Sequence, residues 1–271
     1  MISFVKGHAC GNDFLIVDAA QVSGERQRDL AIKLCARNTG VGADGVEYLD
    51  WTGERSGKIR LFNADGSIAE ISGNGTRCVA AWMAHDKKLG RGETITLETD
   101  AGVRACRIVE AAGDRFQIAS RMGVPKIELR EVKSGDGTFI EGIAVSTGNP
   151  HFVIFVQDTT FALGGRSWQE IGQEICFHSD FPEQTNVEFV RVLGTNEIEI
   201  RIFERGVGPT TSSGTGTCAT AVATIAHRNG AAHLSVRAPG GEQRVEWLGG
   251  ENEILLTGPA ELIAVGEVFG C

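Results

Sequence analysis

Two stretches of the chain are apolar on nearly every side of a helical wheel: CVAAWMAH at Cys78–His85 and CATAVATIAH at Cys218–His227. A helix without a polar face is expected at the centre of a fold, wrapped by other elements. Elsewhere apolar and polar residues alternate with period two, as in TITLETD (Thr94–Asp100), HLSVRA (His233–Ala238) and RVEWL (Arg244–Leu248). That is the pattern of half-buried strands. RDLAIKLC (Arg28–Cys35) and QEIGQEIC (Gln169–Cys176) predict amphipathic helices instead.

These elements recur in one register. Ser213 in TSSGTGTC lies 141 positions after Ser72 in EISGNGTRC, and the same offset relates Phe203 to Phe62, Glu188 in NVEFV to Glu47 in GVEYL, and Cys176 to Cys35. Near the start of each half, GNPHFVIF matches GNDFLIV, with Gly148 against Gly11 at the shorter offset of 137. Segments in constant register mark an internal duplication. The fold class expected is α/β (α+β): two pseudo-symmetric domains, each a curled mixed sheet or barrel around one central helix. The boundary is expected near Glu110–Phe116. It gives an N-terminal domain of residues 1–115 plus about 262–271, and a C-terminal domain of residues 116–261.

Composition narrows the function classes. With 271 residues, 42% hydrophobic and 23% charged, the chain reads as an ordinary globular protein. A net charge of −9 and a pI near 5.2 argue against nucleic acid or an anionic membrane as partner. The opening MISFVKGHACGNDFLIVD reads as a strand rather than a signal peptide, and no apolar run reaches transmembrane length. Seven scattered cysteines, odd in number and without a C-x-x-C pair, argue against a disulfide framework or zinc site and for a reducing, cytoplasmic setting.

The candidate chemistry sits in the two Ser-Gly-x-Gly loops. A glycine-rich turn leading into a helix presents unpaired N–H groups at the positive end of the dipole. Two such ends in one duplicated chain point to a cleft between the halves that takes one small anion, such as a carboxylate. Ser72 and Ser213 as plain N-caps are the simpler reading of each loop alone. The loops complete neither the Rossmann nor the Walker pattern. Around them, Asn63 and Asp65 in one half and Glu204 and Arg205 in the other end strands. Asn12, Asn149, His151 and Asn186 lie at strand edges or Gly turns. Together they suit a zwitterion, with Glu204 for an ammonium and Arg205 for a carboxylate.

GNDFLIVD, GVGADG, NADGSIAEISGNGTRC, GNPHFVIF, TNVEFV and ERGVGPTTSSGTGTCA, in this order over essentially the whole chain, resemble the diaminopimelate epimerases. These belong to a cofactor-independent amino-acid racemase and epimerase family that includes proline racemase and the phenazine-biosynthesis fold. The resemblance implies a two-base inversion without pyridoxal phosphate or metal: one cysteine thiolate removes the α-proton and a second thiol on the opposite face returns one. It further implies that Asn12, Asn63, Gly73, Asn74, Asn149, Asn186, Glu204, Arg205, Gly214 and Thr215 contact substrate, that His151 and Glu204 tune the bases, and that the protein is a homodimer.

The chain departs from the family pattern at both catalytic positions, where Ser72 and Ser213 stand in place of cysteines. A serine hydroxyl is a far weaker acid than a thiol. The leading expectation is an epimerase interconverting LL- and meso-2,6-diaminopimelate, with the serines activated by His151 or Glu204. The alternatives are a catalytically impaired amino-acid-binding relative, a deliberate replacement of both cysteines, and a same-fold isomerase or dehydratase with another small acid. Cys10, beside Asn12, offers a substitute thiol or a buried structural cysteine. Cys78 and Cys218 read as core.

Overall fold

The computed structural model describes residues 1–269. Gly270 and Cys271, the end of the expected 262–271 segment, lie outside the described residues. The described residues form two compact units, one of residues 1–120 with 257–269 and one of residues 121–256.

The first unit runs β1 (Ile2–Ala9), β2 (Asn12–Asp18), α1 (Gly24–Cys35), β3 (Gly45–Gly53), β4 (Ser56–Asn63), β5 (Ile68–Ala69), α2 (Gly73–Asp86), β6 (Thr94–Thr99), β7 (Gly102–Ala112) and β8 (Arg115–Arg121). The second runs β9 (Lys126–Lys133), β10 (Phe139–Ser146), β11 (Pro150–Phe155), α3 (Trp168–Cys176), β12 (Asn186–Gly194), β13 (Glu197–Glu204), β14 (Gly208–Thr210), α4 (Gly214–His227), β15 (His233–Ala238) and β16 (Gly241–Glu246). A long final strand, β17 (Leu255–Val268), starts at the end of the second unit and returns the chain to the first.

In the first unit β1 pairs antiparallel with β2, β2 parallel with β3, β3 antiparallel with β4, β4 parallel with β6 and β6 antiparallel with β7. β7 pairs with β8, and β17 pairs with both β8 and β1, so the ladder closes on itself. In the second unit β10, β11, β12, β13, β15 and β16 repeat the same sequence of antiparallel and parallel pairings.

Each ladder wraps a central helix. Cys78, Val79, Ala80, Ala81, Met83 and Ala84 of α2 are fully buried among Phe14, Ile16, Leu49, Leu61, Ile95 and Ile108. Cys218, Ala219, Ala221, Val222 and Ala223 of α4 occupy the matching place among Val153, Val190, Ile200, Ile202 and Val236. Small side chains let the surrounding strands approach the helix, and the apolar perimeter read from sequence is the consequence. The amphipathic helices α1 and α3 cover the other face of the strands, where Val46 and Tyr48 meet Leu30 and Leu34 in one unit and Val187 and Phe189 meet Ile171 and Ile175 in the other.

The division differs from the sequence expectation at both cuts. Gly113 and Asp114 look like a linker but form the tight turn of the β7–β8 hairpin, so the first unit extends to Ser120. β17 is continuous, and its part from Thr257 onward belongs to the first unit. Among the described residues the cysteines are buried and form no disulfide, and no helix is long and apolar enough to cross a membrane.

Candidate active site

The strand-to-helix turn that ends in Ser72 places the serine at the N-cap of α2. Its backbone is extended (φ −121°, ψ 121°) and its Oγ accepts from the N–H of Gly75 at 3.1 Å. Ser213 caps α4 in the same way, accepting from the N–H of Gly216 at 3.2 Å. The N–H groups of Gly73 and Asn74, and of Gly214 and Thr215, stand in the first turn of each helix, where an anion finds donors and a favourable dipole.

Around the α2 end, Asn74 donates through Nδ2 to Asn12 Oδ1 at 3.2 Å, and Asn12 donates to Asp44 Oδ2 at 2.6 Å. Arg77 Nη2 donates to Asn74 Oδ1, fixing which way the amide faces. Asp44 and Asp13 share the guanidinium of Arg37 at 2.7 and 3.0 Å, and Asp13 also pairs with Lys6 at 2.9 Å. Asn63 lies across the ladder from Gly45, the neighbour of Asp44, and its amide donates to Ser67 Oγ at 3.0 Å. Cys10 is buried in the β1–β2 turn with a positive φ of 53°.

The α4 end carries a longer network. His151 is buried, with Nδ1 2.7 Å from Glu188 Oε1 and Nε2 3.0 Å from Asn149 Oδ1. Both ring nitrogens therefore face acceptors. Asn149 donates on to Thr215 Oγ1 at 3.3 Å. The Glu204 carboxyl lies beside the hydroxyls of Ser213 and Thr210; burial pushes its pKa upward, the neighbouring Ser213 hydroxyl opposes this, and the nearby Glu188 adds to the rise. Asn186 accepts the backbone N–H of Arg205 at 3.0 Å and donates to the Pro150 carbonyl at 3.0 Å. The Arg205 guanidinium donates to the Glu183 carbonyl at 2.8 Å.

Each unit thus gathers its own candidates. Ser72, Gly73, Asn74 and Asn12 meet at α2, with Asn63 one ladder step from Asp44. Asn149, His151, Glu204, Ser213, Gly214 and Thr215 meet at α4, with Asn186 and Arg205 joined on the adjoining strand ends. Two residues of this layer carried no chemical role in the sequence reading: Glu47 and Glu188, buried in the middle of β3 and β12. A Cβ on Gly75 would stand 2.2 Å from Glu47 Oε1, and one on Gly216 would stand 2.7 Å from Glu188 Oε1. Nothing in the sequence marked them as buried: in GVEYL and NVEFV each acid stands between apolar residues, in the phase where strand alternation allows an outward polar side chain.

A cavity of about 1170 Å³ in the first unit, lined by residues including Trp51, Trp82, Phe4 and Asp18, holds none of these groups. Among the described residues no cluster of three or more His, Cys, Asp or Glu side chains is placed to hold a metal ion.

A family model described as diaminopimelate epimerase matches residues 4–128 and 143–263. A diaminopimelate epimerase of Bacteroides thetaiotaomicron is 36% identical over 269 residues, covering 99% of this chain and 98% of that protein. One of Pelotomaculum thermopropionicum is 37% identical over 279 residues, covering 97% and 98%. Among solved structures, a phenazine biosynthesis protein of the PhzF family from Bacillus anthracis superposes with a TM-score of 0.75 at 17% identity, covering 99% of both chains. A hydroxyproline epimerase from Agrobacterium vitis superposes with a TM-score of 0.67 at 16% identity, covering 98% of this chain and 90% of that one. These two likenesses bear on the fold.

Proposed function

The chain belongs to the diaminopimelate epimerase family of isomerases, and from that premise we propose that it interconverts LL- and meso-2,6-diaminopimelate by proton transfer at the α-carbon. The reaction serves lysine and peptidoglycan precursor synthesis. The observation that carries this reading is the pair of serine-capped helix ends, each ringed by amide and carboxyl side chains suited to an amino acid. In this reading the N–H groups of Gly73, Asn74, Gly214 and Thr215 bind the α-carboxylate and offset the negative charge that develops when the α-proton leaves.

Inversion needs one proton removed and one returned. Ser213 is the better equipped of the two serines, because the Glu204 carboxyl lies close enough for the Ser213 hydroxyl to stabilise its charged form. As Ser213 Oγ takes the α-proton, its own hydroxyl proton passes to the Glu204 carboxylate: the C–H bond breaks, the substrate keeps the electron pair, and the charge moves from Glu204 to substrate. Ser72 gives its hydroxyl proton to the carbanion, whose electron pair forms the new C–H bond; solvent then reprotonates the Ser72 alkoxide and takes up the proton held by Glu204. The ring of His151 is positioned by Glu188 and Asn149 on either side.

One observation favours a second reading, an amino-acid-binding protein with little turnover. Ser72 Oγ accepts from the Gly75 N–H, and among the described residues no hydrogen bond joins it to a carboxyl or imidazole. Incubation with LL-2,6-diaminopimelate in D₂O, followed by ¹H NMR and chiral analysis, separates the two. Loss of the α-proton signal with formation of the meso isomer supports the epimerase. Tight binding with the α-proton retained supports the binding protein. In that case Ser72→Cys with Ser213→Cys is expected to bring exchange up.

A further inference from the structure

The carboxyl of Glu47 has no part in the proton transfers above, yet it lies directly behind one of the two anion-binding helix ends. Glu47 is on the face of β3 that is turned to α2, two residues before Leu49 on the same face. It is fully buried, and neither carboxyl oxygen has a hydrogen-bond partner among the described residues. Its Oε1 lies 2.2 Å from the point a Gly75 Cβ would occupy, and the Cβ of Ser72 crowds the same point at 3.3 Å. The acid is therefore pressed against the first turn of α2.

The other unit shows what Glu47 lacks. Glu188 sits under Gly216 in the same way, but His151 pairs with it at 2.7 Å. The parallel ladders set Ile16 beside Glu47 and Val153 beside Glu188. Two residues back along each strand, on the same face, the second unit has His151 and the first has Phe14. A phenyl ring supplies no proton and no charge. Cys78 of α2 is the ionisable group within reach of Glu47, and Cys78 is in turn within reach of Arg77, of Cys10 in the β1–β2 turn and of Asp13 of β2, while β4 places Leu61 opposite Glu47. Arg77 is turned to Asn74 and to the Pro259 carbonyl, and Asp13 is held by Lys6 and Arg37.

A carboxylate buried without a partner is costly, so the group keeps its proton instead. Burial pushes the Glu47 pKa up to about 8. We propose that Glu47 is a further positioning residue of the α2 half-site, one that acts by staying uncharged. With its proton on, the helix end exerts its full positive pull on a substrate carboxylate. With its proton off, a buried negative charge stands behind the same N–H groups and opposes that carboxylate. By linkage, a bound carboxylate must in turn tighten the hold of Glu47 on its proton. The inference rests on the reading that α2 binds the carboxylate of an amino acid.

The test is the pH dependence of binding, measured by calorimetry with LL-2,6-diaminopimelate on the full chain and on Glu47→Gln between pH 7 and pH 9. The variant experiences the same titration of the ligand's ammonium groups and so isolates Glu47. Wild-type affinity is expected to fall about tenfold more than that of Glu47→Gln over this interval. Parallel pH profiles would overturn the inference while leaving the diaminopimelate reading intact. Absence of binding by the wild type at pH 7 would remove both. A readout that needs no variant is the ¹³C NMR signal of the Glu47 carboxyl in the wild type. It is expected to titrate near the alkaline side of neutrality and to move upward by about one pH unit or more with saturating ligand. A Glu47 signal already ionised at pH 7, or unmoved by ligand, would sink the idea.

Discussion

Gly75 has no conformational need to be glycine, since it sits in the first turn of a helix with ordinary backbone angles. The reason for it is steric: the Glu47 carboxyl fills the place of a Cβ. Gly75→Ala is expected to destabilise the protein by about 1–3 kcal/mol, as overpacking does, and Glu47→Ala in the same chain should recover part of that loss. Urea denaturation of the two single variants and the double variant measures the coupling. Glu47 also makes a pH prediction. Its folded pKa of about 8 lies above the ordinary 4.5, so the folded state holds the extra proton between those values. Stability from this group is therefore fully present below about pH 4.5, declines as pH rises toward 8 and is level above. The slope is at most about 1.4 kcal/mol per pH unit. Urea melts at pH 5.5 and 7.5 should show this decline in the wild type and a flatter profile in Glu47→Gln. At this scale the sequence reading located Ser72, Ser213 and their amide neighbours because polar residues at Gly turns announce themselves. It passed over Glu47 and Glu188 as markers of register, because nothing in a one-dimensional pattern says which helix glycine an acid will meet.

The helices α2 and α4 begin alike and differ in what stands behind their caps. Removing either cap should cost about 1 kcal/mol from the lost bond to the N–H of Gly75 or Gly216. Ser213→Ala should cost more than Ser72→Ala, because it also removes the hydroxyl that offsets the burial of the Glu204 carboxyl. Thermal denaturation ranks them. In the D₂O exchange assay, Ser213→Ala is expected to slow α-proton loss by roughly 10²–10⁴-fold, the usual worth of a positioned acid–base group. The elements themselves were readable: α2 and α4 from their uniformly apolar perimeters, α1 and α3 from their stripes, and the pairing of halves from one repeated offset. The edges of the units were not. A Gly-Asp turn has the same composition whether it links two domains or closes the β7–β8 hairpin, and β17 carries no mark at the residue where it passes from one unit to the other.

For the whole molecule, the decisive strand is β17. It lies between β1 and β8, so the first unit is closed by residues from the far end of the chain. Deleting Thr257–Cys271 should therefore open the ring and leave β1 and β8 as unpaired edges. Hydrogen exchange is expected to show protection lost across β1–β8 and retained by the α4 amides of the second unit. Retained protection in β1 and β2 would contradict the closure. The same arrangement sets an order of events on the ribosome. The first unit is the earlier one to leave the exit tunnel, yet it cannot complete its ring until the last strand has been translated. At ordinary elongation rates the interval between Ser120 and Val268 is roughly 10 s or longer. The second unit, contiguous from Arg121 to Leu256, meets no such delay. The half made first is thus the half finished last, and for those seconds its open edges are exposed to every nascent neighbour on the same message.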